Sequence, residues 1–166
     1  MNAPPRRFYA LSPDYVTAAG FENLAGAEAA AVAFGEGAHV VDTLSTTYTP
    51  AIYKVQEGEL RLQGQGSFDH RHGLGANLIE AARKRIPPLV RALIAKGADP
   101  NASDPKGGTA LHWAVAGGDF EVVRLLLEAG ADPKRPDGGG LTPLALARQK
   151  KRETITEILE QVAEGA

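Results

Sequence analysis

The chain has 166 residues, a formal charge of −2 and no cysteine, so it is one ordinary domain or two small ones, with room for a core that needs no covalent staple. Without thiols it has no disulfides, cysteine nucleophiles or cysteine-based zinc sites, and its slight acidity argues against a dedicated nucleic-acid binder. No run approaches the roughly 20 apolar residues of a membrane span, a reducing, cytoplasmic address is expected, and the Ala- and Gly-rich composition suggests a bacterial source.

Arg6-Arg7-Phe8-Tyr9 superficially resembles a twin-arginine export signal, but Asp14, Glu22 and Glu28 interrupt the apolar stretch such a signal needs. The segment therefore reads as mature protein. Phe8-Tyr9-Ala10-Leu11 reads as a short strand. Asn23 can cap an Ala-rich helix over about 24–34 that stops at Gly35 or Gly37. His39-Val40-Val41-Asp42-Thr43-Leu44 has strand composition. Ile52–Val55 and Leu60–Leu62 place alternating apolar residues on either side of Gln56-Glu57-Gly58-Glu59, a hairpin pattern. Residues 1–68 thus predict a small β-α-β-β domain. It has few large apolar side chains, so it is expected to lean on the following region and to cap it. Gly64-Gln65-Gly66-Ser67 is the expected hinge.

The remainder repeats. Lys96-Gly97-Ala98-Asp99-Pro100 returns as Ala129-Gly130-Ala131-Asp132-Pro133, and Gly108-Thr109-Ala110-Leu111 returns as Leu141-Thr142-Pro143-Leu144, both at an offset of 33. The same step backwards sets Leu78, Ala81 and Leu89-Val90 under Leu111, Ala114 and Val122-Val123. In the middle unit Leu111, Ala114 and Val115 define a short helix, which Gly117-Gly118-Asp119 breaks. Phe120, Val123, Leu126 and Leu127 then define a second helix by their i, i+3, i+4 spacing. Gly130 stands where a left-handed residue closes a helix, and Asp137-Gly138-Gly139-Gly140 is turn chemistry. Neither helix can bury its apolar face alone, so neighbouring pairs must stack.

Asp104-Pro105-Lys106-Gly107-Gly108-Thr109-Ala110-Leu111-His112-Trp113-Ala114 resembles the opening of an ankyrin repeat, and Leu125-Leu126-Leu127-Glu128-Ala129-Gly130-Ala131-Asp132 resembles its close. The resemblance covers about residues 69–160. It departs at Asn77 and Ile79, where the family usually has Pro and His, and at Pro87-Pro88. It departs again at Ala145 in the His position and at Lys151 in place of a helix-ending Gly. Residues 69–101 and 137–160 therefore read as caps around one full repeat. The expected fold is α+β: a repeat stack over 69–166 behind a small domain over 1–68.

The resemblance implies a surface for gripping another protein. It assigns partner contacts to loop tips and to the exposed ends of the first helices. These are His72, Arg83 and Lys84 in the first unit, Pro105, Lys106, Ala116 and Gly117 in the second, and Gly138, Leu141, Gln149 and Lys150 in the third. It gives His112 a structural role, hydrogen-bonding between turns. Trp113, the only tryptophan, holds a position that usually faces a neighbouring helix, so burial is expected. Partly exposed, it would be the best hot-spot candidate.

Other residues carry weaker signals. Asp69-His70-Arg71-His72 has metal-ligand character but no assigned third ligand, and Gly64-Gln65-Gly66 and Gly73-Leu74-Gly75 match no phosphate-binding motif. Residues 69–166 carry 14 Lys/Arg against 13 Asp/Glu, and residues 1–68 carry 4 against 7. The bases gather at Arg83-Lys84-Arg85 and Lys150-Lys151-Arg152, matching places that would make a basic rim for an acidic partner. The reading is a non-enzymatic binding module without cofactor or metal, an adaptor, inhibitor or immunity-type protein for one cognate partner. In an inhibitor, Asp42, Glu57 and Glu59 would press against a basic active site. The alternative is a small enzyme or metal-binding domain within residues 1–72 for which the repeats recruit substrate. That reading requires His39 and Asp42 to converge with Asp69 or His70.

Overall fold

A computed structural model of the chain describes residues 7–43, 51–65 and 73–165. Strand β1 (Phe8–Leu11) pairs with β2 (Ala18–Phe21) on one side and with β3 (His39–Asp42) on the other. β4 (Ala51–Gln56) and β5 (Glu59–Gln65) extend this sheet in the order β2-β1-β3-β4-β5, every pairing antiparallel. The β4–β5 hairpin turns through Glu57 and Gly58 at φ of 55° and 76°, the two positive dihedrals that match the twist of the flanking strands. Helix α1 (Leu24–Phe34) begins where Asn23 accepts the N–H of Gly26 at 2.8 Å, and it stops at Gly35.

Two features differ from expectation. β2 is an added strand: Ala18-Ala19-Gly20-Phe21 has no alternating apolar pattern, and its conformation comes from its pairing with β1. Gly64 is no hinge. It lies within β5 opposite Ile52, beside a register shift at Ile52/Tyr53, and the strand runs on to Gln65. Gly66 and Ser67 lie outside the described residues.

Strand alternation sends successive side chains of the sheet to opposite faces. Phe8, Ala10, Val40 and Val55 pack with Ala27 and Ala31 of α1. Tyr9, Leu11, Val41 and Ile52 belong to the main core, the rest of which is helical. That helical part contains α2 (Leu74–Arg83), α3 (Pro87–Ala95), α4 (Ala110–Gly117), α5 (Phe120–Glu128), α6 (Pro143–Gln149) and α7 (Glu153–Gly165). Each unit supplies two helices. The first helices pack as α2·α4·α6 and the second as α3·α5·α7, while α3 also lies on β1, β2 and β3. Pro87-Pro88 suits this arrangement, because the first turn of α3 has no intrahelical use for their missing N–H groups.

The apolar core therefore runs unbroken from the sheet into the stack. Leu78, Leu89, Leu93, Leu111, Leu126 and Leu159 are fully buried, each contributing roughly 2 kcal/mol by removal from water. Polar contacts fix the sheet's seat. Arg91 on α3 donates to the carbonyls of Tyr15 (2.7 Å) and Val16 (3.0 Å), and Arg124 on α5 donates to that of Asp14 (2.8 Å). Lys96 at the end of α3 donates to Thr43 Oγ1 at 2.9 Å.

Each first helix is left by the same backbone step. Arg85, Gly118 and Lys151, spaced 33 apart, have φ of 57°, 71° and 54°. Glycine adopts this left-handed conformation freely, whereas a side chain costs about 1 kcal/mol there. Lys151→Gly is therefore expected to raise stability by roughly 0.5–1 kcal/mol, read as a higher urea midpoint at unchanged m value. A lowered midpoint would contradict the shared backbone step.

Candidate functional site

The site is built from two stiff turns. In the turn before α4, Asp104 Oδ1 accepts the N–H groups of Lys106 (2.8 Å) and Gly108 (2.9 Å), while its own N–H donates to the Gly108 carbonyl. At the same offset before α6, Asp137 Oδ1 accepts from Gly139 (2.9 Å) and Leu141 (3.0 Å). The turns are also tied to each other, since the Gly138 N–H donates to the Lys106 carbonyl at 2.8 Å. Contact is close enough that a Cβ on Gly138 would stand 2.6 Å from that oxygen.

His112 locks the helices beneath. Its Nε2 lies 2.9 Å from the Leu141 carbonyl, which can only accept, so Nε2 carries the proton. Nδ1 then accepts from the Thr109 N–H (3.1 Å) and hydroxyl (2.9 Å). The ring is buried and spans the second and third units, which is the structural role expected for it. Ile79 and Ala145 hold the matching positions in the outer units and make no such bridge.

Between these turns and the ends of α4 and α6 lies a groove of about 220 Å³. Trp113, Ala116, Leu141 and Leu146 supply its apolar lining, and Asp104, Lys106 and Asp137 stand at its polar edge. Trp113 corrects the expectation of burial. It is 38% exposed, because Ala110, Leu111, Ala114 and Val115 occupy the packed faces of α4 and leave position 113 turned towards the loops. Its Nε1 donates to Asp104 Oδ2 at 3.1 Å, which fixes the ring's orientation. Burial opposes ionisation of Asp104, but hydrogen bonds from Trp113, Gly108 and Lys106 outweigh it and hold the carboxyl below the ordinary carboxylate range.

Of the residues expected to meet a partner, Lys106, Trp113, Ala116 and Leu141 converge on this groove. Pro105 and Gly138 are exposed at the turn tips, and Gly117 follows Ala116 at the end of α4. Arg83 and Lys84 end α2 and are drawn onto Glu80, at 2.8 Å and 3.4 Å. Gln149 and Lys150 are exposed at the end of α6. His72 lies outside the described residues. Asp104, Asp137 and Leu146 were not singled out from sequence as contact residues. The two aspartates carry a signal, their matched places 33 apart, but from sequence Asp137 reads only as turn chemistry and Asp104 only as part of the repeat motif.

The N-terminal candidates do not converge. His39 and Asp42 are three apart on β3 and face opposite sides of the sheet. Asp42 accepts two hydrogen bonds from Arg7, at 2.8 Å and 2.7 Å. Glu57 pairs with Arg61 at 2.8 Å. His39 is buried beside Tyr15, their ring centroids 5.4 Å apart, with Nδ1 unpartnered among the described residues. Burial, aided by nearby Lys54, lowers its pKa to about 4. Asp69 and His70 lie outside the described residues. Among those described, no His, Asp and Glu cluster could hold a metal ion, and no helix is long and apolar enough to cross a membrane.

Helix pairs at one period, stacked in two layers and linked by turns bonded to one another, define a solenoid-type helical-repeat protein. The family model described as ankyrin repeats (3 copies) matches residues 78–165. It covers more than half of the sequence, and the chain belongs to the ankyrin-repeat family. The match runs through α7, past the limit near 160 expected from sequence. No curated protein matches the chain.

His112→Ala should cost about 2–3 kcal/mol in urea unfolding, since it strands the Thr109 N–H and the Leu141 carbonyl; a loss under about 0.5 kcal/mol would remove the bridge's role. His39 sets a pH dependence. Its folded pKa of about 4 lies below the unfolded 6.5, so the unfolded chain takes up the proton first as pH falls. The His39 contribution should be whole above pH 6.5 and lost progressively towards pH 4, by up to about 3 kcal/mol. Unfolding midpoints between pH 7 and 5, above most carboxylate titration, should fall for the native chain and stay flatter for His39→Phe. Equal slopes would contradict the assignment.

Proposed function

We propose that the chain is a non-enzymatic protein-binding module that grips one cognate partner protein in the groove around Trp113. Ankyrin repeats mark a protein–protein interaction module. The observation that carries the finer reading is the exposed Trp113 ring, held by Asp104 above an apolar floor of Ala116 and Leu141. A large aromatic whose orientation is already set loses little freedom when covered, so its burial goes largely into affinity. The bonded turns supply the same advantage to the backbone. Pro105 and Gly138 at the tips, with Lys106 at the edge, would form the rim. Gly117, Gln149 and Lys150 would extend the contact along the helix ends, whereas Arg83 and Lys84 are already drawn onto Glu80.

On this reading residues 1–68 act as an N-terminal cap on the repeats of residues 69–166. The separation of His39 from Asp42 supports a cap over a catalytic domain. Asp42 and Glu57, already paired with arginines, are poor candidates for pressing on a partner's basic site, which shifts the contact to the repeats. An adaptor, inhibitor or immunity-type protein of the cytoplasm, needing no cofactor, fits this design.

The test uses the intact chain as bait in its host's lysate, followed by titration with the purified partner. Trp113→Ala should weaken binding at least about 30-fold, the loss of a central aromatic anchor, with little change in melting temperature. Lys54→Ala on the sheet should leave affinity unchanged. A partner held equally well by Trp113→Ala would place the interface elsewhere.

A further inference from the structure

The ends of the first helices form a second surface, next to the groove. Ala116 lines the groove, and Gly117 and Gly118 follow it as a saddle without side chains. Arginines from both outer units lean over that saddle. The Cδ of Arg85 lies 3.3 Å from where a Cβ on Gly117 would stand. The guanidinium of Arg152 is laid against Gly118, its Cζ, Nη1 and Nε 2.7, 2.9 and 3.0 Å from the corresponding point. Residues 67 apart in sequence are thereby brought onto consecutive glycines.

The basic rim expected from sequence divides here into two kinds of cation. Arg83 and Lys84 are spent on Glu80, and Arg148 on Glu160 at 2.6 Å. Arg85, Lys150, Lys151 and Arg152 form no ion pair among the described residues. Arg152 borders two open hollows, one of about 400 Å³ shared with Lys151 and one of about 240 Å³ shared with Gly118 and the exposed Phe120. Glu153 and Glu157 are the carboxylates there, and neither lies within ion-pairing distance of these bases. Arg85 and Lys151 also occupy the strained left-handed step that glycine fills in the middle unit. Arg85 and Lys151 are thus held, without an ion pair among the described residues, at a backbone step that costs a side chain about 1 kcal/mol, which points to a role beyond the folding of the stack.

We propose that the Gly117–Gly118 saddle binds an acidic segment of the partner protein, its carboxylates meeting Arg85, Arg152 and Lys151. The inference rests on the protein-docking reading above and names the chemistry of what runs out of the groove. The missing Cβ atoms let Arg152 lay its guanidinium on Gly118 and Arg85 run its side chain across Gly117, both side chains exposed, and a guanidinium offers paired donors to a carboxylate. A nucleic acid fits less well. Its charge extends far beyond the saddle and meets a chain of net charge −2, whereas a short acidic segment meets only the bases.

The test is fluorescence anisotropy of a fluorescein-labelled oligoglutamate peptide with the full chain, against oligolysine and oligothymidylate. Oligoglutamate should bind, weakening as salt rises, and oligolysine should not. The double variant Arg85→Gln/Arg152→Gln should bind about tenfold more weakly at low salt. Lys151→Gly should bind more weakly although its backbone is relieved of strain, which separates lost charge from lost fold. Trp113→Ala should keep oligoglutamate binding while losing the partner, so failure of the saddle and failure of the groove are distinguishable. No binding of oligoglutamate, equal affinity in the charge variants, or tighter binding of oligothymidylate would each overturn the proposal.

Discussion

Burial of helix faces between successive repeats is the constraint on which the rest of the structure depends. Each pair of helices carries more apolar surface than it can cover, so stability is a sum over neighbours. Small residues such as Ala81, Ala114 and Ala147, all fully buried, let the first helices approach, and leucines fill the second layer. At one end the surface is met by the sheet, with Tyr9, Leu11 and Val41 completing the same core. At the other, α7 closes the stack with a polar outer side, exposing Glu157 and Gln161 while burying Ile155 and Leu159.

Stacking also creates the candidate surface, because whatever repeats along the chain is lined up in space. The aspartate turns come side by side and bond through Gly138 and Lys106. The left-handed steps line up as Arg85, Gly118 and Lys151. Where the middle unit departs from its neighbours, the surface acquires its features. His112 bridges only where it stands, Trp113 has no tryptophan above or below it, and Gly117 and Gly118 receive the basic side chains of Arg85 and Arg152. Regularity supplies the frame, and local exceptions supply the features to which recognition is assigned in the proposed function.

Much of this was legible in the sequence, for a physical reason. A period of 33 with i, i+3, i+4 apolar spacing determines helix pairs and their order, and Asn23, Gly58 and Pro87 mark element ends through local chemistry. What escaped depends on tertiary contact. β2 exists because β1 offers it an edge, Gly64 is kept in β5 by pairing with Ile52 across the sheet, and Trp113 is exposed because smaller residues took the packed faces of α4. The groove was half legible: Lys106, Trp113, Ala116 and Leu141 were named from their motif places. Asp137 reads as a turn residue and Asp104 as part of the repeat motif, and their task of framing the groove, with Asp104 orienting the indole, is visible only when the loops are adjacent.

On the proposed function, a partner protein covers the middle repeat at its one indole. Since the chain has a single tryptophan, fluorine NMR of protein labelled with fluorotryptophan reports on that position alone. Adding the purified partner should shift or broaden the resonance and abolish its solvent-isotope shift as the ring is withdrawn from water. A saturated complex in which the resonance keeps both its position and its solvent sensitivity would contradict the claim.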